Sequence, residues 1–223
     1  MTQPRAVIFD CDGVLVDSEA AAFDLLRVDL ARYGQPMTTA EGEAQFIGGT
    51  VRGLWLRARG MGARLPDDWV DDFYERLYAR LAEGTALIPG IETVLDALDA
   101  AGIPYAVGSN GSDQKMQVTL GQHPGVLARL RGRLFSGQTL GAPKPAPDVY
   151  LHAARALGQP PEACVVIEDS PTGARAARAA GMRCMGYAAH GDGRALASEG
   201  AQVFHAMADL AALLGLPDAG PGL

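Results

Sequence analysis

The sequence predicts an α/β protein with a three-layer core, a mostly parallel sheet and a small all-helical cap inserted after the first strand. Three observations support this prediction. Short apolar runs of strand length alternate with helix-like segments in most of the chain. A glycine follows each of three helix-like segments. Residues 16–86 break the alternation and show helical periodicity without a convincing strand.

Five apolar runs are the predicted strands. The first, residues 6–10, reads Ala-Val-Ile-Phe-Asp and ends in polar residues; the others span 104–109, 133–136, 164–168 and 183–187. The helix-like segments between them cover 91–101, 148–157 and 172–180, and each stops at a glycine. Apolar strands that alternate with helices indicate a parallel sheet covered on both faces.

The predicted cap is residues 16–86, and the predicted core is residues 1–15 and 87–223. Apolar residues recur at helical spacing in three stretches, around 23–33, 51–58 and 69–81. Helices inserted after the first strand would lie above the carboxyl ends of the sheet, where α/β proteins bind ligands. The alternative is that these helices pack beside the sheet and gate nothing.

Composition excludes several classes of protein. With 48% hydrophobic and 20% charged residues, the 223-residue chain is typical of a globular protein. Nineteen basic and 26 acidic residues give a net charge of −7 without a basic run, which argues against nucleic-acid or anionic-membrane partners. No apolar run reaches about 18 residues, so a transmembrane helix is not expected. We expect a cytoplasmic protein that is a monomer or weak homodimer. Lysine is rare: Lys115 and Lys144 stand beside 17 arginines.

Polar side chains follow the predicted strands. They are Asp10 and Asp12, then Ser109 and Asn110, then Lys144 between two prolines, and finally Glu168 and Asp169. Because parallel strands bring their carboxyl ends to one edge of the sheet, these groups are expected to converge. Two like charges about 4 Å apart cost roughly 4 kcal/mol at an effective dielectric of about 20, so four carboxylates require a cation. Oxygen ligands of this kind favour Mg²⁺ bound together with a phosphate.

Four motifs carry a family resemblance: Asp10-Cys11-Asp12-Gly13, Ser109-Asn110, Lys144-Pro145 and Glu168-Asp169-Ser170. In order and spacing they resemble the haloacid dehalogenase superfamily, in its β-phosphoglucomutase and phosphoglycolate phosphatase-like branch with a small helical cap. The resemblance covers nearly the whole chain and implies a three-layer Rossmann-like core. The segments that begin at Lys115 and Leu134 also look like those of bacterial sugar-phosphate phosphatases that act on 6-phosphogluconate.

The resemblance implies a role for each site residue. Asp10 would be the nucleophile that forms an aspartyl-phosphate, and Asp12 the general acid and then the general base. The implied Mg²⁺ ligands are Asp10, the backbone carbonyl of Asp12, Asp169, and Glu168 either directly or through water. The implied phosphate-binding residues are Ser109, Asn110 and Lys144.

The cap departs from the mutase pattern. The positions of the mutase's cap histidine and lysine correspond to Ala22 and Ile47, and its arginine position is Val51 or, with a one-residue shift, Arg52. A mutase needs such groups to hold a bisphosphate, so the departures favour net hydrolysis. Thr50 and Arg52 are the candidates for substrate selectivity in the cap, although Arg52 is equally well explained as a solvated helix residue.

The sequence therefore predicts a Mg²⁺-dependent phosphatase that acts on a small phosphorylated sugar or sugar acid. Two alternatives stay open at this point. One is a phosphosugar mutase like β-phosphoglucomutase. The other is a phosphoacceptor signalling module, which would share strand-end acids, a hydroxyl and a lysine, but is usually shorter and has no cap insertion.

Overall fold

The computed structural model describes residues 3–36, 38 and 50–216. Its centre is a six-stranded sheet in which all neighbouring strands are parallel, in the order β3-β2-β1-β4-β5-β6. The strands are β1 Ala6–Phe9, β2 Tyr105–Ser109, β3 Leu134–Ser136, β4 Cys164–Glu168, β5 Arg183–Tyr187 and β6 Gln202–Phe204. All five predicted strands are present, and the predicted α/β class is confirmed. The short edge strand β6 was not predicted.

Ten α-helices lie within the described residues. They are α1 Glu19–Arg32, α2 Val51–Gly60, α3 Trp69–Ala82, α4 Ile91–Ala100, α5 Asp113–Leu120, α6 Pro124–Arg129, α7 Asp148–Ala156, α8 Pro171–Ala179, α9 Arg194–Ser198 and α10 Leu210–Leu213. None of the helices in these parts of the chain is both long and apolar enough to cross a membrane.

The sheet buries both of its faces, because alternate side chains of a strand point to opposite sides. Val7 and Phe9 pack in one apolar cluster with residues of α4, α5 and α6. Ala6 and Ile8 pack in a second cluster with residues of α7 and α8. The central strand β1 is therefore fully buried, as its uninterrupted apolar sequence predicted.

Helices α1, α2 and α3 form a third apolar cluster, centred on Leu30, Trp55, Trp69 and Phe73. Helix α3 meets the core through hydrogen bonds at its exposed edge. The Tyr78 hydroxyl lies 2.5 Å from Ser112 Oγ at the start of α5, and Gln138 Nε2 donates to the Tyr74 hydroxyl at 3.0 Å. The exact boundaries of the predicted cap, residues 16 and 86, stay a prediction.

Candidate active site

A cleft with about 910 Å³ of empty space, part of it open solvent, lies between the carboxyl ends of the strands and helices α1 to α3. We call its two walls the core face and the cap face. The core face consists of Asp10, Asp12, Ser109, Lys115, Lys144 and Asp169. The cap face consists mainly of the apolar residues Ala22, Phe23, Leu26, Val51, Leu54, Phe73 and Leu77, together with Glu19, Thr50 and Tyr74. Both lysines that line the cleft lie on the core face.

Asp10 follows β1 directly and is 8% exposed. Phe9 pairs with Val107 on one side and Ile167 on the other, so the next residue, Asp10, lies between the ends of β2 and β4. The Lys144 ammonium donates to Asp10 Oδ1 at 2.5 Å. Burial raises the pKa of Asp10 to about 7, and the neighbouring acids add to this against the opposing effect of Lys144.

Lys144 is buried and is contacted by four residues: Asp10, Asn110, Tyr150 and Glu168. Its ammonium donates to Glu168 Oε1 at 2.6 Å as well as to Asp10, and it lies 4.7 Å from the centre of the Tyr150 ring. The Asn110 side chain accepts from the Lys144 backbone N–H at 2.7 Å and donates to its carbonyl at 3.2 Å. Although burial lowers the pKa of a lysine, Asp10 and Glu168 outweigh this and keep the pKa of Lys144 raised.

Glu168 is fully buried at the end of β4, and both of its carboxylate oxygens are engaged. Oε1 accepts from Lys144 and from the Tyr150 hydroxyl, each at 2.6 Å. Oε2 accepts from the backbone N–H groups of Asp169 and Ser170 and from Ser170 Oγ. Any side chain at position 173 would collide with it, since a Cβ built on Gly173 would lie 1.7 Å from Oε1. Glu168 is therefore locked in place by its neighbours.

Asp169 completes a carboxylate cluster. One oxygen from each of Asp10, Glu168 and Asp169 lies within 4.8 Å of the others, which could hold a metal ion. Burial raises the pKa of Asp169 well above its usual value, and the nearby Glu19 and Glu168 raise it further. Gly13 makes room for this side chain: its φ is +73°, and a Cβ there would lie 1.9 Å from Asp169 Oδ2.

Asp12 faces the same cleft, but its contacts differ from those of Asp10. Lys115, on the first turn of α5, places its ammonium 2.7 Å from Asp12 Oδ1. The Ser18 hydroxyl donates to the same oxygen. Burial raises the pKa of Asp12, but the charge and hydrogen bond of Lys115 and the hydrogen bond of Ser18 outweigh it, so the pKa is lowered.

The remaining predicted residues occupy varied positions. Ser109 Oγ lies in the cleft and accepts from the Gly111 N–H at 2.8 Å. Thr50 also lines the cleft while its hydroxyl caps α2 through the Gly53 N–H. Arg52 lies outside the cleft lining, with its guanidinium 4.8 Å from the centre of the Trp55 ring. Ala22 lies on the cap face, whereas Ile47 lies outside the described residues.

Three residues of the site had no role assigned from the sequence. They are Glu19, Lys115 and Tyr150. The scarcity of lysine was a usable signal for Lys115, because both lysines of the chain line this cleft. Tyr150 is six residues beyond Lys144, on α7. Its position in the helical periodicity is that of a residue of the apolar core, so the sequence gives no signal that its hydroxyl contacts the site.

The charges of the site do not balance. Four acids line the cleft, namely Asp10, Asp12, Glu19 and Asp169, and Glu168 lies directly behind Lys144. Two lysines oppose them, so the formal excess among the residues that the structure describes is three negative charges. Burial is the main cause of the raised pKa values of Asp10 and Asp169, and the neighbouring acids of this cluster raise both further.

Comparisons with known proteins agree with this geometry. A family model for haloacid dehalogenase-like hydrolases matches residues 4–181. The chain is 32% identical over 194 residues to a phosphoglycolate phosphatase of Xylella fastidiosa, which covers 85% of this chain and 84% of that protein. It is 31% identical over 191 residues to the 6-phosphogluconate phosphatase of Escherichia coli, which covers 85% of each.

A solved structure gives the same result for the fold. The haloacid dehalogenase family hydrolase of Deinococcus radiodurans, solved with bound phosphate and sodium, is 33% identical and superposes with a TM-score of 0.78 over 98% of this chain and 100% of that one. With a hydrolase family model and relatives named as phosphatases, the predicted enzyme class, a phosphoric monoester hydrolase, is confirmed. The chain belongs to the haloacid dehalogenase-like hydrolase family, as its four motifs predicted.

Proposed function

We propose that this chain is a Mg²⁺-dependent phosphatase that hydrolyses a small phosphorylated sugar or sugar acid through an aspartyl-phosphate on Asp10. One observation carries the proposal: Asp10 lies at the end of the central strand with Lys144 at 2.5 Å and the Asp169 carboxylate close enough to share a metal ion. The substrate class is supported by the relatives named for phosphoglycolate and 6-phosphogluconate.

The carboxylate cluster fits a small, hard divalent cation. Mg²⁺ would be held by the side chains of Asp10 and Asp169 and by the backbone carbonyl of Asp12. When bound, Mg²⁺ would offset the negative charge of the site and polarise a phosphoryl oxygen. Because both oxygens of Glu168 are already engaged, we propose that Glu168 supports the site through Lys144 and the backbone of Asp169.

The two acids of the first motif divide the chemistry. A carboxylate oxygen of Asp10 forms a bond to phosphorus while the ester P–O bond breaks, and Asp12 gives its proton to the leaving oxygen. Asp12 then takes a proton from water, whose oxygen attacks phosphorus. The Asp10–phosphorus bond breaks and inorganic phosphate is released. Asp12 has returned to its protonated form, and one ester bond has been hydrolysed.

The phosphoryl oxygens would be bound by Lys144 and by the Ser109 hydroxyl, which both line the core face. A buried cation beside the nucleophile offsets charge that develops as an anionic carboxylate approaches an anionic phosphate. The Asn110 amide is engaged with the Lys144 backbone, so its contribution would be to hold that lysine in place. Thr50 remains our candidate for substrate contact from the cap.

Net hydrolysis is favoured over phosphoryl transfer between sugar positions. A mutase must hold a second phosphate against its cap, which requires cations there. The cap face is mostly apolar and has no lysine, arginine or histidine among its described residues, and residues 37–49 of the sequence contain none either. An apolar wall of this kind suits the carbon skeleton of a monophosphate better than a second dianionic group.

The test is a panel of phosphomonoesters that includes 2-phosphoglycolate, 6-phosphogluconate and hexose phosphates, assayed for inorganic phosphate with Mg²⁺ or with EDTA. We expect turnover of at least one ester by the wild type with Mg²⁺, and its loss with EDTA and in Asp10→Asn. Asp17→Asn, at an exposed aspartate outside the cleft, is the matched control and should retain activity. Phosphate release that survives both EDTA and Asp10→Asn would overturn the mechanism. A phosphate-shifted isomer formed without phosphate release would favour the mutase.

A further inference from the structure

Both lysines of the chain line one cleft, and only one of them has a role in the mechanism above. Lys144 contacts the nucleophile, whereas Lys115 contacts Asp12. None of the arginines in the described parts of the chain lines this cleft. The cationic groups that face the substrate space are thus two lysines, each paired with one of the two proposed catalytic acids.

The position of Lys115 is set by the start of α5. Ser112 caps this helix by accepting from the Lys115 backbone N–H at 3.0 Å, which places residue 115 on the first turn, facing the cleft. The Lys115 side chain is 13% exposed and its ammonium lies 2.7 Å from Asp12 Oδ1. Asp12 itself is 20% exposed, so the pair is largely shielded from water.

The two oxygens of Asp12 have different surroundings. Oδ1 receives the Lys115 ammonium and the Ser18 hydroxyl. Oδ2 accepts no hydrogen bond from any residue that the structure describes. It lies beside Gly111, so close that a Cβ built on this glycine would be 3.3 Å from it. An oxygen that accepts from two donors is a poor place for a proton, so Oδ2 is the oxygen left to carry one.

We propose that Lys115 is a positioning residue for the proton transfer of Asp12: it holds Oδ1 so that Oδ2 is the atom that gives the proton to the leaving oxygen of the substrate. The proposal rests on the proposed function. In the first step Asp10 bonds to phosphorus as the ester P–O bond breaks, the leaving oxygen takes the proton from Oδ2, and Asp12 is left as a carboxylate beside the Lys115 ammonium. In the second step the oxygen of the attacking water bonds to phosphorus, its proton passes to Asp12, and the Asp10–phosphorus bond breaks to release inorganic phosphate.

This role differs from that of a substrate-binding cation. A lysine that bound an acidic group of the substrate would matter for every ester with that group, whatever its leaving oxygen. A lysine that positions the acid matters only where the leaving oxygen needs a proton. Alkyl esters need one, whereas the nitrophenolate of p-nitrophenyl phosphate leaves without it.

The experiment compares kcat/KM, which reports the first irreversible step, for p-nitrophenyl phosphate and for an uncharged-alcohol phosphate that the wild type turns over. We expect Lys115→Met to lose about 10²-fold on the alkyl ester and less than about 5-fold on p-nitrophenyl phosphate. Lys115→Arg should recover part of the loss on the alkyl ester. In an Asp12→Asn background, Lys115→Met should cause little further loss, because the two residues act as one unit.

Equal losses on both esters, or additive losses in the double variant, would overturn the proposal, and so would a loss confined to substrates with a second anionic group. The thermal midpoint of Lys115→Met is measured alongside and is expected to stay near that of the wild type. If it falls, the comparison uses Lys115→Arg, and the proposal is overturned if Lys115→Arg hydrolyses the alkyl ester no faster than Lys115→Met does. A wild type that releases phosphate from none of the phosphomonoesters overturns the proposed function, and this proposal with it.

Discussion

In the described part of the chain, one cluster of acids around a cation lies in the core and another, around the buried Asp29, lies between the cap helices. In the cap cluster, Asp29 is 2% exposed and accepts from Trp69 Nε1 at 2.8 Å and from the Arg76 guanidinium at 2.6 and 3.1 Å. The one buried acid of this cluster thus meets one cation and one neutral donor, and the second acid on Arg76, Asp72, is exposed. This cluster lies outside the cleft lining and joins α1 to α3.

The core cluster is not balanced in this way. Lys144 is shared between Asp10 and Glu168, and Asp169 adds a further acid to the same space. Burial consequently raises the pKa of Asp10 to about 7. A buried acid that is matched by one cation stabilises the fold. An excess of buried acids beside a cleft indicates instead a place where a metal cation and a substrate are expected to bind.

The largest expected effect is in the core cluster. Lys144→Met should lower kcat/KM about 10³-fold, because it removes a preorganised cation from the phosphoryl site. Steady-state kinetics on the best ester of the panel measures this. Tyr150→Phe is the matched control, since it removes the other donor to Glu168 Oε1 but leaves the lysine; a loss in Tyr150→Phe as large as that in Lys144→Met would contradict the account.

The cap cluster should respond in stability instead. Asp29→Ala leaves the Trp69 N–H without its acceptor and is expected to lower the free energy of unfolding by about 2 kcal/mol. Asp72→Ala removes the other carboxylate that pairs with Arg76, but this one is 61% exposed, so the expected change is within about 0.5 kcal/mol. Thermal or denaturant unfolding distinguishes the two. Similar values for both variants would break the distinction between a buried and an exposed partner.

A smaller effect is expected in the pH dependence of the free energy of unfolding, and it arises from Asp10 in the core cluster. Since the pKa of Asp10 rises from 3.8 in the unfolded chain to about 7 in the folded protein, the folded state binds more protons between these values. The metal-free protein should therefore lose stability as the pH rises from about 4 to 7, by at least about 1 kcal/mol. Glu168 and Asp12 have lowered pKa values and act in the opposite direction, below this window.

Mg²⁺ should counter this loss, so its stabilising effect should be larger at the high end of the window than at the low end. Thermal unfolding with Mg²⁺ or EDTA across the window measures both effects. Asp10→Asn, which cannot titrate at this position, should flatten the metal-free profile. A metal-free protein that becomes steadily more stable up to neutral pH would contradict the charge excess.

Much of the candidate site could be predicted from the sequence, because the carboxyl ends of all strands in a parallel sheet lie at the same edge. Asp10 and Asp169 each follow a strand with a clear apolar run and Ser109 is the last residue of another, so their convergence could be predicted from the fold class alone. The helix start at Pro171 was equally readable, because Ser170 accepts from the Gly173 N–H as an N-cap should.

Other features depend on how elements pack, and local sequence carries little of that information. The engagement of both Glu168 oxygens depends on Tyr150, which approaches from a helix packed on the sheet. The pairing of Lys115 with Asp12 depends on where α5 begins relative to β1. Strand β6 has three residues with an exposed glutamine at its start, so its pattern is too short to distinguish it from a loop.

We propose that the phosphoryl group is transferred to Asp10, and mass spectrometry of an acid-quenched reaction detects that aspartyl-phosphate directly. With Mg²⁺ and a substrate ester, we predict a phosphoryl adduct on the peptide that contains Asp10, formed within the first turnover and absent in Asp10→Asn. Turnover of the ester by a wild type in which that peptide stays unmodified at every quench time, or a phosphoryl adduct on another residue, would contradict the account.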